Sequence, residues 1–296
     1  MGRAASSVYD EWKRNRVRGA YDPAKAHHKA YVRRKYAKYQ GMKIVAHDAL
    51  RRFVRDALMD DQSPEAIAGH TKKHRKDLPS ISKESIYRFI TSVYGRRIEN
   101  YRFHKRTRRR GTRTNVAALP NRTFIDKRPS IINTRGRVGD VEFDFIVSGK
   151  SGKGMLLVVV DRKLRTVFLE RIIRITIPNF EQAFLRIKSR FPEMRTGTTD
   201  NDILLRHHER LGTLLGIRIF FCHPYHSWEK GTVENANKAI RKDIPKRSDI
   251  SRYSRRFIAN LESKLNRRFM DCLNHRTPAW ALAAHRMRLQ KQKRSR

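Results

Sequence analysis

The chain has 296 residues and carries 68 Lys and Arg against 28 Asp and Glu, a formal net charge of +40. That length admits one large domain or two to three small ones with a real core; a soluble protein gains nothing in stability from so much self-repulsion, so the charge calls for a polyanionic partner, nucleic acid, with a ribosome-associated protein or a merely basic surface as the alternatives. The longest apolar run, 155–160, excludes a spanning helix, which needs roughly 20 apolar residues.

The N-terminus has scattered charge and no apolar signal core. Two widely spaced cysteines, Cys222 and Cys272, suit a reducing cytosol and not a disulfide framework. Neither Cys222-His223 with His226 nor Cys272 with His275 completes a paired zinc-ligand pattern.

Residues 1–40 hold a short helical run, then Asp22-Pro23, an N-cap followed by a first helical residue. The helix expected over 23–39 bears Lys25, Lys29, Arg33, Arg34, Lys35 and Lys38 with almost no apolar face. It lies either in solvent or against phosphates. Residues 41–100 read as a compact helical domain. Ile44, Val45, Leu50, Phe53, Val54, Ala57 and Leu58 make one helical stripe, and Ser63-Pro64 starts a second helix. Ser82 caps a third, whose Ile86, Phe89, Ile90 and Val93 follow the i, i+3, i+4, i+7 rule. Three short helices with a capped last one suit a helix-turn-helix or a plain bundle; in the first case Lys83, Ser85 and Arg88 approach a DNA groove.

Residues 101–139 form a linker. Arg102, Lys105, Arg106, Arg108, Arg109, Arg110 and Arg113 crowd one stretch without an acid, a run that can track a phosphate backbone by releasing counterions. From residue 140 to 285 the pattern changes to strands and helices. Val141, Phe143, Phe145 and Val147 alternate with Glu142, Asp144 and Ile146, as a strand does. Further strands are expected over 155–161 and 166–173, then a helix over 178–190, a strand closed by Asp200, a helix over 203–215, a strand over 217–222 and a helix carrying Glu234. Ser148-Gly149-Lys150-Ser151-Gly152 lacks the frame of a P-loop and reads as a turn. A helical stretch follows over 253–282. Residues 286–296 read as a basic tail without structure.

Asp144, Asp200 and Glu234 stand near the ends of such elements. Three carboxylates converging there suit two hard divalent cations, Mg²⁺ or Mn²⁺, for phosphoryl transfer. Asn237, Lys238 and Arg241 fall at i+3, i+4 and i+7 from Glu234, so they share its side of a helix. They could position a scissile phosphate or form a solvated basic face, as could Lys230. Glu142 and Glu229 rank below the trio as site acids. Trp228 and His226 either stack on a base or pack in the core.

The residues Trp228-Glu229-Lys230-Gly231-Thr232-Val233-Glu234-Asn235 resemble the Trp-x-Arg-Gly-Thr-x-Glu-Asn motif of the IS-thirty family of insertion-sequence transposases. Val159-Val160-Asp161-Arg162-Lys163 is similar to its Val-Asp-Arg-Lys, and thirty-three residues lie between Asp200 and Glu234, the family's separation. The likeness runs from about Ser6 to Trp280. It implies a ribonuclease-H-like catalytic core, α/β in class, behind a small all-α helix-turn-helix domain. Asp144, Asp200 and Glu234 would be the DDE triad, with Asp144 as bridging ligand. Lys230 and Arg241 would take basic positions around the glutamate with Lys and Arg exchanged. The family carries a fuller N-terminal unit, and 6–15 resembles its recognition helix. The implied activity is cleavage at element ends and strand transfer into double-stranded DNA by a homo-oligomer. A repressor derived from such an enzyme and a nuclease of the same fold are the alternatives.

The chain departs from the family in reading Val141-Glu142-Phe143 for Trp-Glu-Gly, and Asn201-Asp202 where the family has Asn or Arg and then Gly. If the strand ending at Asp200 continues, Asp202 shares its face and adds a carboxylate beside the metals. If a helix begins there, Asp202 is an N-terminal acid.

Overall fold

A computed structural model describes residues 2, 4–16, 19–37, 42–95, 98, 121–223 and 227–294. It separates into two compact units, Met1–Lys105 and Arg106–Arg296.

In the first unit, α1 spans Ala5–Asn15 and α2 Pro23–Ala37. Asp22 caps α2 as expected, its Oδ1 accepting from the amides of Ala24 and Lys25 at 2.9 and 3.2 Å. The single stripe expected from Ile44 to Leu58 is two helices, α3 over Lys43–Ala46 and α4 over Asp48–Met59. The chain is extended at His47, whose ring accepts from the Leu50 amide and starts the second helix. α5 covers Pro64–His74 and α6 Lys83–Ile90, with Ser63 and Ser82 capping them through the amides of Ala66 and Ser85. Leu50, Val54, Leu58, Ile67, Ile86, Phe89 and Ile90 close the core of this unit. Val93 was expected inside and is exposed, because α6 ends at Ile90 and Val93 stands in the following 3₁₀ turn.

The second unit starts with a 3₁₀ turn at Ile125–Lys127 and α7 at Ser130–Asn133. Strands β1 Asp140–Val147, β2 Met155–Asp161 and β3 Val167–Ile172 follow as an antiparallel meander, joined by short turns. Helix α8, Ile177–Arg190, then carries the chain across the sheet to β4, Thr196–Thr199, which lies parallel to β1. Helix α9, His208–Leu215, leads to β5, Arg218–Phe221, parallel to β4. The helix expected over 203–215 is interrupted: a 3₁₀ turn at Ile203–Leu205 precedes α9. The last helices are α10 Gly231–Asp243, α11 Arg255–Asn266 and α12 Pro278–Arg294. Residues 286–294 are therefore helical, not an unstructured tail. Arg286 anchors them, donating to Glu193 Oε1 at 2.8 Å and to the Arg190 carbonyl at 2.7 Å.

The sheet order β3-β2-β1-β4-β5, with three antiparallel strands beside two parallel ones, is that of a ribonuclease-H-like fold. Strand alternation divides the core in two. Val141, Phe143, Leu157 and Val159 pack with Phe184, Ile187, Leu211 and Leu215 on the side of α8 and α9. Ile146, Leu156, Val158 and Val160 pack with Val233, Ile240, Ile258 and Leu261 on the side of α10 and α11. Gly139, at φ +101°, lets the chain enter β1. A Cβ there would stand 1.9 Å from the Glu193 carbonyl oxygen.

Candidate active site

Glu142 and Asp144 share the face of β1 that α10 covers, since alternate residues of a strand point the same way. The parallel register pairs Glu142 with Thr198, so two residues further on Asp144 stands level with Asp200, just past the end of β4. The Lys230 ammonium joins them, at 3.3 Å from Asp144 Oδ1 and 2.9 Å from Asp200 Oδ2. Lys230 ends the 3₁₀ turn Ser227–Lys230 and its side chain is only 5% exposed. From the next turn, Asn237 Nδ2 donates to Asp144 Oδ2 at 2.6 Å. Burial pushes the Asp144 carboxyl above the usual carboxylate range; Lys230 opposes this and Asp200 adds to it. Burial works against the Lys230 charge, but the two aspartates outweigh it and raise its pKa.

Glu234 lies on the same helix one turn before Asn237 and is partly exposed. Among the described residues no three acid, histidine or cysteine side chains gather closely enough to hold a metal ion. The structure thus brings Asp144, Asp200 and Lys230 together and does not gather Glu234 with them into a three-ligand cluster. Asp200 Oδ1 and Asn237 Oδ1 are buried acceptors with no protein hydrogen-bond partner. Buried oxygens are ordinarily paired, and hard oxygen donors are what Mg²⁺ takes, so this donor set fits a divalent cation.

The loop after Asp200 is held tightly. Asn201 donates to the Cys222 carbonyl at 2.9 Å and accepts from Arg122. Asp202 caps the 3₁₀ turn Ile203–Leu205, accepting from the Leu204 amide at 3.0 Å. It is the N-terminal acid of the two readings, and the strand does not continue to it. Burial pushes the Cys222 thiol up to about 12, leaving it an inert neighbour.

Glu142 makes three bonds. Its Oε2 accepts from the amides of Thr232 and Val233, each at 2.9 Å, and its Oε1 from Arg162 Nη1 at 2.7 Å. Asp161 shapes the turn that presents Arg162. It accepts from the amides of Lys163, Leu164 and Gly139, and burial raises its pKa to about 6. Glu229 holds His223, whose Nδ1 is 3.0 Å away, while His223 Nε2 meets Asp126 at 2.7 Å. Sequence reading had no signal for that histidine clasp, which joins residues far apart in the chain.

The other basic candidates are dispersed. Lys238 lines a groove of about 540 Å³ with Arg135, Arg165, Lys242 and Arg268, and Arg241 donates to the Pro245 carbonyl at 3.3 Å. In the first unit Lys83 meets Glu65 at 3.2 Å, Ser85 lies beside Ser82 and Arg88 is exposed. Arg108, Arg109, Arg110, His226 and the Trp228 side chain lie outside the described residues.

The chain is 35% identical over 289 residues to the transposase for insertion sequence element IS4351 of Bacteroides fragilis, covering 94% of this chain and 86% of that one. The chain belongs to the IS30 family of insertion-sequence transposases. The transposase for IS1086 of Cupriavidus metallidurans is 29% identical over 297 residues, with 96% of this chain and 86% of that one covered. Transposase InsI for element IS30A of Escherichia coli is also 29% identical, over 94% of this chain and 75% of its own. No protein-family profile matches. Among solved structures, the catalytic core domain of BIV integrase aligns with 51% of this chain and 98% of its own, at 18% identity and a TM-score of 0.39. This transposase has no helix among its described residues long and apolar enough to cross a membrane.

Proposed function

We propose that this transposase catalyses metal-dependent cleavage of DNA strands at the ends of its element and their transfer into target DNA. The observation that carries the reading is the pair Asp144 and Asp200, drawn together by a buried lysine while Asp200 Oδ1 and Asn237 Oδ1 keep unused acceptor capacity. Asp144, Asp200 and Glu234 would hold two divalent ions, Mg²⁺ or Mn²⁺. Such ions would supply an activated oxygen nucleophile and stabilise the leaving 3′ oxygen. The protein's own contribution is placement. Lys230 keeps the two aspartates facing each other and offsets their mutual repulsion. Asn237 fixes which way the Asp144 carboxylate turns. Glu234 would be the contribution of α10 to the same ions.

Lys230, Lys238 and Arg241 are proposed to meet phosphates at the core. Lys83, Ser85 and Arg88, with Arg108, Arg109 and Arg110, are proposed to hold double-stranded DNA away from the scissile bond. Pairing two element ends favours a homo-oligomer on DNA in the bacterial cytoplasm. The test is nicking of supercoiled plasmid carrying an element end. Asp144→Asn, Asp200→Asn and Glu234→Gln should each lower Mg²⁺-dependent cutting by about 10⁴-fold while DNA affinity is retained. Wild-type cutting by any one of them removes that residue from the site. Binding without cutting by the parent protein favours a repressor, and cutting without joined products a nuclease.

A further inference from the structure

We propose that Glu142 is a positioning residue: held by Arg162, its carboxylate fixes where α10 begins on β1, and so where that helix delivers Glu234 and Asn237 beside Asp144. The start of α10 lacks a cap of its own. Lys230 occupies the N-cap position without a side-chain cap bond, since an ammonium has no lone pair with which to accept a backbone amide. The first free amides, Thr232 and Val233, go instead to Glu142, ninety positions earlier in the chain. That carboxylate is 1% exposed. A buried carboxylate needs an ion partner and filled acceptors, and here Arg162 and two amides at the positive end of a helix provide both.

The spacing makes this clasp a ruler. Glu142 and Asp144 are two strand residues apart, about 6.8 Å. Their partners on α10, Thr232 and Asn237, are five helical residues apart, about 7.5 Å. The lengths agree closely enough for both contacts to close together. A slip of one helical residue shifts the axis by about 1.5 Å and turns it by about 100°, which would break both. Glu234 lies between the two clasps in sequence, so its position along β1 is set from either side. Arg165 adds to the grip, donating to Thr232 Oγ1 at 3.1 Å.

The activity arm of the test rests on the strand-cleavage reading; the exchange arm does not. In the full chain, Glu142→Met with Arg162→Met removes both charges, so no unpaired buried ion remains. Glu142→Gln with Arg162→Met restores an acceptor for the amides without charge. Positioning predicts that the Met/Met protein melts normally, binds DNA with unchanged affinity and nicks about 10²-fold more slowly. Its Thr232 and Val233 amides should exchange with deuterium at least about tenfold faster, with β2 unaffected. The Gln/Met protein should recover most of the rate and protection. Equal rates in the two double variants, or wild-type nicking by Met/Met, would overturn the proposal. Unchanged exchange at Thr232 and Val233 in Met/Met would overturn the clasp whatever the activity. Should Met/Met not fold, Gln/Met decides alone: matched protection and rate uphold the proposal, and lost protection with a wild-type rate refutes it. A parent protein that cuts no DNA with any divalent cation refutes the cleavage reading and leaves the exchange result standing.

Discussion

Glu142 and Asp144 stand two residues apart on one face of β1, and each meets a buried cation. Around Glu142 both carboxylate oxygens are bonded, and the pair with Arg162 is almost entirely out of water. Around Asp144 the lysine is shared with a second aspartate that is 48% exposed, and two nearby buried oxygens have no partner. The completed site can only hold the fold. The incomplete one retains capacity for a ligand. Acids of the same type on the same strand thus take different roles from what surrounds them.

The sharpest way to break this comparison is stability. Arg162→Met leaves Glu142 as an unpaired buried charge and should cost about 3–5 kcal/mol in chemical denaturation. Asp200→Asn, at a half-exposed carboxylate, should change stability by less than about 1 kcal/mol. Equal losses would show that the two pairs are equivalent members of the core.

A smaller effect is expected at His223, which ties the segment at Asp126 to the loop before Lys230. Glu229 and Asp126 raise its pKa above the ordinary value for histidine, about 6.5. A raised folded-state pKa contributes stability that is complete below the unfolded value and fades as pH rises through the folded one. Protection of the amides in residues 223 and 227–230, corrected for the base-catalysed rise in intrinsic exchange, should therefore fall as pH rises through the His223 pKa in the parent protein. In His223→Gln the corrected protection should be low and flat across the same range. A flat profile in the parent would mean the charge on His223 is not part of the clasp.

The smallest effect is expected at Asp202. Because its carboxylate is engaged in capping the turn at Ile203–Leu205, Asp202→Gly should cost only a few tenths of a kcal/mol and leave single-turnover cleavage unchanged at every Mg²⁺ concentration. A faster variant would place its carboxylate in competition with Asp144 and Asp200.

Much of the catalytic core was legible because its strands announce themselves. The alternation around Asp144 gave β1, and six apolar residues in a row gave β2 with bounds matching those observed. The family motifs located Asp200, Lys230 and Glu234. What could not be read were features set by distant partners. The start of α10 depends on Glu142, which looked like a surplus acid. Lys230, whose charge suits either a phosphate contact or a solvated basic face, bridges two aspartates. His47 breaks a continuous apolar stripe by capping, and Arg286 holds helical a segment whose composition suggested a loose tail. Local patterns report local forces; apart from the local cap at His47, each of these depends on a bond from elsewhere in the chain.

The strand order also bears on synthesis. β1, β2 and β3 are joined by short turns and can pair as soon as they leave the ribosome. β4 can join β1 only after α8 has crossed the sheet, a slower, non-local step. Lys230 arrives later still. A nascent chain therefore carries Asp144 on a formed meander well before Asp200 and Lys230 reach it. Any product that ends before residue 230 lacks the constellation altogether. Interrupted translation would release fragments that hold Asp144 on the meander without the lysine that joins it to Asp200.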